Sequence, residues 1–317
     1  NDTIDNLLSY YKKFEFKSLK NVIVFDLTML IPEELWTKIK DAGLNAFSFR
    51  ELIKDKASKT ELIESKPETI LTICYTSGTT SLPKGAKISQ NYFYSASFMI
   101  QDSGEAFDGE DAVHLSYLPL AHVMERVILN VSIGIGALIC FIASSDVKKY
   151  LSEDIALSKP TAFLAAPRVL TLFHQTIMTE FSKLTGLKKS LVDRALETKR
   201  ANFLKDGSLS HCVYDRLVFS KIREKFGGNI KKFYSGSAPL PTDIANDLKI
   251  LFSVPILEGY GMTEIGILTV MKMDDVENGN TGGVIRTMKY KLADKKEIGY
   301  HSQTTLNGLP SPTGEVC

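Results

Sequence analysis

Strand-like apolar runs alternate with helix-like segments along this chain, and this order constrains the fold more than any other feature. The runs KNVIVFD (20–26) and PTAFLAA (160–166) have the length of buried strands. Helical spacing is found in PEELWTKIKDAG (32–43) and in SQNYFYSASFMIQD (89–102), where Ser89 is a suitable N-cap. The alternation predicts an α/β fold with mixed or mostly parallel sheets and helices on both faces.

Three apolar runs lead into glycine-rich segments, and ligands of α/β proteins bind at the carboxyl ends of strands. These segments are YTSGTTSLPKGAK (75–87), YSGSAPL (234–240) and EGYGMTE (258–264). In the first, small residues let the backbone approach an anion, hydroxyls add donors, and Lys84 adds a positive charge. Its KGA ending lacks the Gly-Lys-Ser/Thr of the P-loop. The residues alone therefore leave open a phosphate-binding loop of another kind and a plain surface turn.

The composition is that of a soluble globular protein. Among 317 residues, 44% are hydrophobic and 24% charged, and the net charge of +1 gives no reason to expect a nucleic-acid partner. The four cysteines (Cys74, Cys140, Cys212 and Cys317) form no CxxC pair, which argues against a disulfide framework and a structural zinc site. We expect Cys74 and Cys140 to be core residues of a protein from a reducing compartment.

One apolar run, VILNVSIGIGALICFIA from Val127 to Ala143, approaches transmembrane length. Asn130 and Ser132 are polar, and two glycines interrupt the run. We therefore expect a buried helix that leads into a buried strand, ALICFIA, with a membrane span as the alternative.

The glycine-rich segments occur together with further motifs, and the set resembles the acyl-adenylate-forming enzymes. YTSGTTSLPKGAK is similar to the signature loop of that superfamily, and EGYGMTE to its adenine and magnesium motif. SYLPLAHVMER (116–126) and DRLVFSKIREKFGGNIKKFYSGSAPL (215–240) resemble the eukaryotic long-chain fatty acid–CoA ligases in particular. The resemblance extends from about residue 68 to GLPSPTGEVC at the end of the sequence. Ser81 departs from it, because the family usually has glycine there.

The resemblance implies a layered αβαβα N-terminal adenylating domain without the small C-terminal α+β domain. Residues 1–67 would belong to a first α/β subdomain. Residues from about 68 to 250 would form a central α/β subdomain with the phosphate loop, and residues 251–317 the adenine-site strands and the start of a β-rich subdomain. We expect a fragment incomplete at both ends, with the ribose-binding Asp, the hinge and the adenylation Lys beyond Cys317. Such a fragment would turn over poorly.

The same resemblance assigns nucleotide contacts to three groups of residues. The loop around the ATP β- and γ-phosphates matches Thr76, Ser77, Gly78, Thr79, Thr80 and Lys84. The walls of the adenine pocket match Gly236, Ser237, Ala238, Pro239, Glu258, Gly259, Tyr260, Gly261 and Met262. Tyr260 would stack on adenine, and small side chains beside it would leave room for a flat base.

Further roles fall on residues near the reacting groups. Thr263 would contact a phosphate and Glu264 would bind Mg²⁺, which prefers hard oxygen ligands. His122 would orient the attacking carboxylate, and Lys84 would lie beside the phosphates. Arg126 is a weaker candidate for the site, because it could instead pair with an acid. Without the family, the residues themselves favour a surface acid for Glu264 and a structural histidine for His122. Gly134 and Gly136 could line an acyl tunnel or simply pack in the core.

The function implied is ATP-dependent activation of a long-chain fatty acid. The carboxylate would attack MgATP to give acyl-AMP and pyrophosphate, and the CoA thiol would then displace AMP. Two alternatives stay open: an adenylating enzyme for a medium-chain, aryl or amino acid, and a non-catalytic nucleotide- or acyl-binding subunit. The partners expected are thus fatty acid, ATP and CoA, with no nucleic acid.

Two basic segments bear on location. YYKKFEFKSLK (10–20) and the Lys-rich helix at 181–205 could touch an anionic membrane surface, or they could be ordinary solvated faces. By family resemblance we expect an intracellular protein at the cytosolic face of a membrane.

Overall fold

The computed structural model describes residues 2–14, 16–25, 30–54, 61, 63–76, 82–102, 111–144 and 146–317. These fall into two compact units, 1–64 and 65–317.

The first unit is a small α/β arrangement. Its elements are α1 (Asp2–Phe14), β1 (Asn21–Val24), α2 (Glu33–Asp41), β2 (Asn45–Ser48) and α3 (Phe49–Lys54). The two strands are parallel, and their core contains Leu8, Val22, Val24, Ile39 and Leu44. The predicted helix at 32–43 is confirmed, and it is followed by Gly43, whose φ of +79° favours glycine.

The second unit begins with a β-hairpin. β3 (Ile70–Thr76) pairs antiparallel with β4 (Lys84–Ser89), and α4 (Gln90–Asp102) follows. The predicted cap is confirmed, since the Tyr92 N–H donates to Ser89 Oγ over 3.2 Å. The predicted loop at 75–87 is shorter than expected, because Thr76 ends β3 and Lys84 already belongs to β4.

The long apolar run folds as a helix followed by a strand, as predicted. β5 (Val113–Ser116) is followed by α5 (Val123–Gly134) and by β6 (Leu138–Phe141), which pairs parallel with β5. The expectation that β6 is buried was wrong for both of its ends, Leu138 and Phe141, which are exposed. Among the described strands β6 pairs with β5 alone and so forms an edge. No helix in the described part of the chain is long and apolar enough to cross a membrane.

A mixed five-stranded sheet forms the centre of the second unit, which agrees with the predicted class. Its order is β11-β10-β9-β8-β7. The strands β7, β8 and β9 are parallel to one another, β10 is antiparallel to β9, and β11 is antiparallel to β10. The strands are β7 (Ala162–Ala165), β8 (Lys232–Ser235), β9 (Ile256–Met262), β10 (Gly266–Val270) and β11 (Gly283–Val284). The helices around them are α6 (Val147–Ser158), α7 (Pro167–Ser182), α8 (Gly186–Asp206), α9 (Ser220–Lys225) and α10 (Thr242–Phe252), with a π-helical turn at Asp215–Phe219.

Aromatic side chains join this sheet to the helices beside it. Phe163 from β7 and Phe233 from β8 contact each other edge to face, with ring centroids 6.3 Å apart. Phe252 from α10 lies 5.0 Å from Phe233, and Tyr117 stacks on Phe163 at 5.1 Å. Full burial of each phenylalanine contributes about 2 kcal/mol. This packing holds the carboxyl ends of β7 and β8 in place.

The Lys-rich helix α8 is less solvated than its composition suggests. Lys199 is 1% exposed, and its ammonium donates to Asp215, to the Ile250 carbonyl and to Ser253. Burial lowers the pKa of Lys199, although the hydrogen bond and charge of Asp215 oppose that effect. This cluster fastens α8 to the end of α10.

The last part of the unit consists of short strand pairs. β12 (Leu292–Ala293) pairs with β15 (Glu315–Val316), and β13 (Thr305–Leu306) pairs with β14 (Leu309–Pro310), both antiparallel.

Candidate functional site

A cavity of about 270 Å³ lies at the carboxyl ends of β8 and β9, within the second unit. This is the edge at which α/β sheets bind ligands. The segments after β8 and within β9 contribute backbone and hydroxyl groups to its lining. The elements α4, α5 and β10 contribute apolar side chains, among them Ala96, Val127, Ile128 and Ile267. The cavity can therefore accept a ligand with a polar and an apolar part.

Many residues assigned from the sequence meet in this cavity. Those that line it are His122, Gly236, Ser237, Gly259, Tyr260, Gly261, Met262 and Thr263. They come from three segments, and His122 lies more than a hundred residues before the other two, so the fold creates their proximity.

His122 occupies the N-cap of α5 at the cavity wall. Its Nδ1 accepts the backbone N–H of Met124 at 3.2 Å, in extended backbone geometry (φ −87°, ψ 128°). A ring nitrogen that accepts a hydrogen bond carries no proton, so Nε2 is the donor of the neutral ring. The cap thus orients His122 as a hydrogen-bond donor.

A buried contact of Glu125 and two hydrogen bonds of Arg126 fix the helix that carries His122. Glu125 Oε1 lies 2.9 Å from His114 Nε2, and both side chains are almost fully buried between α5 and β5. Arg126 donates to the Leu120 carbonyl and to Thr72 Oγ1. The possible pairing of Arg126 with an acid is not seen: no carboxylate in the described part of the chain pairs with it. These contacts hold the turn before α5 against its neighbours.

The segment after β8 forms one wall through its backbone. A Cβ added to Gly236 would lie 3.3 Å from the Gly259 carbonyl, so this wall and β9 approach closely. Ser237 has a φ of +74°, a left-handed conformation that is unfavourable for a residue with a side chain. Ala238 and Pro239 are exposed and do not line the cavity.

The adjoining wall is a strand where the sequence predicted a glycine loop. β9 continues through Gly259, Tyr260 and Gly261 and ends at Met262. A Cβ on Gly261 would lie 2.1 Å from the Gly266 carbonyl in β10, so glycine serves close backbone approach here rather than a turn. The turn itself comprises residues 263–265, with Glu264 exposed. Glu264 does not line the cavity.

Glu258, assigned to the cofactor pocket from the sequence, is 5% exposed and lies behind the cavity wall. Its Oε2 accepts the Leu240 N–H at 3.1 Å, and its buried Oε1 has no partner among the described residues. Burial lowers the pKa of the nearby Lys249, against the opposing charge of Glu258. The Glu258 carboxylate thus ties β9 to the end of the segment after β8.

The predicted phosphate loop is described only at its two ends. Thr76 and Lys84 are partners in the β3–β4 ladder, and Thr76 Oγ1 donates to the Lys84 carbonyl at 3.4 Å. Neither lines the cavity. The other assigned loop residues, Ser77, Gly78, Thr79 and Thr80, lie outside the described residues. Ser81, where the sequence departs from the family, also lies outside them.

Sequence reasoning missed Tyr92, which lines the cavity from α4. Burial raises the pKa of Tyr92 to about 12, with Cys74 and Glu264 adding to the rise. The signal available was the apolar face that Tyr92 shares with Phe93 and Ala96 on this helix. Of the proposed tunnel residues, Gly134 and Gly136 do not line the cavity, whereas Val127 and Ile128 from the same run do.

The mixed sheet and the cavity at its edge define an α/β protein with a cavity of the kind in which small molecules bind. A sequence profile of the AMP-binding enzyme family matches residues 16–317, so the chain belongs to this family. The resemblance seen in the motifs is thereby confirmed.

Individual relatives agree with the family. The chain is 31% identical to the peroxisomal long chain acyl-CoA synthetase 6 of Arabidopsis thaliana, covering 100% of this chain and 43% of the relative. It is 34% identical to fatty acyl-CoA synthetase B of Dictyostelium discoideum, covering 95% and 44%. The chain thus spans less than half the length of these curated relatives.

The fold has a solved counterpart in the adenylation domain of a carboxylate reductase from Mycobacterium chelonae. The two superpose with a TM-score of 0.74 at 25% identity, over 99% of this chain and 44% of the other. The predicted adenylating-enzyme fold is confirmed by this match.

Proposed function

We propose that this protein activates a long-chain fatty acid with ATP and transfers the acyl group to CoA. The observation that carries the proposal is the cavity. It combines the segments expected to bind adenine, together with Thr263, which is expected to contact a phosphate, with an apolar lining from α4, α5 and β10. Membership of the AMP-binding family and the names of the matched relatives support the same conclusion.

In the first step a carboxylate oxygen attacks the α-phosphorus of ATP, and pyrophosphate leaves. Tyr260, which is 39% exposed, offers its ring to the adenine, and the nearby glycines leave room for the base. His122 donates from Nε2 to the carboxylate or to the α-phosphate, which orients the nucleophile and offsets developing negative charge. Thr263 adds a hydroxyl to the same region. Lys84 and the loop before it would hold the departing phosphates.

The residues at the β9–β10 turn fit a magnesium ion. Glu264 is an exposed carboxylate next to the Thr263 hydroxyl, and Mg²⁺ in nucleotide sites uses one or two such oxygens together with phosphates and water. Among the described residues no cluster of three or more His, Cys, Asp or Glu side chains could hold a metal alone. When bound, Mg²⁺ would neutralise charge on the phosphates.

In the second step the CoA thiolate attacks the acyl carbon and AMP leaves. Neither step requires a covalent enzyme intermediate, so the residues of the cavity act by positioning and charge stabilisation. We further propose that the protein is intracellular and acts at the cytosolic face of a membrane, where long-chain fatty acids partition.

The test is palmitate-dependent ATP–pyrophosphate exchange, together with palmitoyl-CoA formation, by the protein made from its complete gene. We expect both activities, and His122→Ala should lower exchange about 100-fold. His211→Ala is the matched control, because His211 Nδ1 also accepts backbone N–H groups but the residue does not line the cavity.

Three outcomes would contradict the proposal. Faster exchange with medium-chain, aryl or amino acids would replace the substrate class. Nucleotide binding without acyl-AMP formation would indicate a binding subunit. Equal losses in the two histidine variants would remove His122 from the chemistry.

A further inference from the structure

Tyr92 holds a polar group that the described structure leaves unused. Its phenol oxygen is buried, and no hydrogen-bond partner is present among the described residues. Buried hydroxyls are nearly always paired, so an unpaired one calls for a functional explanation. Because the oxygen is closed to solvent, a neighbouring protein group that can move is the simplest partner for it.

The position of the phenol oxygen limits which protein groups can accept its hydrogen bond. It lies 3.4 Å from the point that a Cβ on Gly266 would occupy, directly beside the residue that follows the 263–265 turn. Besides burial, Cys74 and Glu264 raise the pKa of the Tyr92 phenol, which is consistent with both groups lying near it. The Cys74 thiol is a weak acceptor, buried within β3. Glu264 is a strong acceptor on an exposed turn and is free to change rotamer.

We propose that Tyr92 is a positioning residue. Its phenol O–H donates to the Glu264 carboxylate when Glu264 turns inward to bind the cation that accompanies ATP. The bond would fix one carboxylate oxygen and direct the other to the cation. Such outer partners orient metal ligands in many proteins. The inference rests on the proposed function, because it assigns Glu264 to a cation that accompanies ATP.

The test compares ATP binding with and without Mg²⁺ by isothermal titration calorimetry, using the protein from its complete gene. In the wild type Mg²⁺ should tighten ATP binding. In Tyr92→Phe this gain should fall about tenfold, since loss of an outer partner typically weakens metal binding by that factor or more. The KM for palmitate should be unchanged, because the phenol oxygen is closed to the cavity. Tyr94→Phe is the matched control, on the same helix but 72% exposed, and should behave as wild type.

A second pair of variants separates this inference from the proposed function. Glu264→Gln should lose the Mg²⁺-dependent gain, and Tyr92→Phe should add nothing in that background. If Glu264→Gln keeps the gain, the metal role of Glu264 fails. If Glu264→Gln loses it but Tyr92→Phe does not, only the role of Tyr92 fails. A raised KM for palmitate with an unchanged Mg²⁺ effect would also overturn the inference, because Tyr92 would then act on the acid.

Discussion

Two hairpins carry the proposed phosphate-binding residues, and they are built differently. The β9–β10 hairpin closes through the short 263–265 turn, and its strands approach so closely at Gly261 that no side chain fits. The β3–β4 hairpin joins Thr76 and Lys84 across residues 77–83, and both ends are outside the cavity lining. The first hairpin fixes its functional groups through the fold. The second carries Thr76 and Lys84 at the ends of a longer connection, where we expect a substitution to change activity without lowering stability.

The largest expected effect is that of Gly261→Ala. The added methyl would overlap the Gly266 carbonyl, and two backbones must separate to admit it. We expect a loss of about 3 kcal/mol or more in the free energy of unfolding, measured by urea denaturation, together with loss of AMP binding. Gly283→Ala in β11 is the control, because its Cβ would meet nothing within 4 Å. Equal stability of the two variants would contradict the close packing of this hairpin.

Glu258→Ala should have the next largest effect. It leaves the buried Leu240 N–H unpaired and removes the charge that opposes the desolvation of Lys249. We expect a loss of about 2 kcal/mol in the same measurement. Glu258→Gln keeps an oxygen that can accept from Leu240 and should lose less. A glutamine variant as unstable as the alanine variant would mean that the charge, not the hydrogen bond, holds this wall.

Gly85→Ala applies the first test to the other hairpin. Its Cβ would lie 2.7 Å from Ile73 Cγ2, a side-chain methyl on a half-exposed residue that can shift. We therefore expect a loss of only about 1 kcal/mol, by urea denaturation. A loss as large as that of Gly261→Ala would show that the two hairpins are equally rigid.

Lys84→Ala should leave stability within about 0.5 kcal/mol, because its side chain is exposed. Pyrophosphate exchange should nevertheless fall about 100-fold, since the variant lacks the positive charge that Lys84 would place beside the departing phosphates. Lys87→Ala, also exposed and in the same strand, is the control and should exchange normally. Normal exchange in Lys84→Ala would remove Lys84 from the site.

Local signals in the sequence predicted most of the elements. Ser89 caps α4 and Pro167 opens α7, because both effects act within one turn of helix. The sequence predicts a loop at Gly259 and Gly261, because glycine usually marks a turn. Their true role depends on the register between β9 and β10, which local sequence does not contain.

Burial of charged and polar groups escaped prediction for a related reason. Lys199 sits on a helix of solvated composition, and its partners Ile250 and Ser253 come from some fifty residues further along the chain. Tyr92 and Glu258 likewise take their roles from residues distant in sequence. The family motifs indicated which segments meet, but not which side chains face the cavity.

The span of the cavity lining has a consequence for synthesis of the protein. The lining runs from Tyr92 to Ile285, and β7 pairs in parallel with β8 although α7, α8 and α9 lie between them in the sequence. Proteins dominated by contacts so distant in sequence fold slowly. A ribosome-bound chain that has emerged only as far as α10 already contains His122, yet it lacks the strand that faces it. On the proposed function, nucleotide binding to a nascent chain would therefore report that the lining up to Ile285 has emerged and that the central sheet has formed.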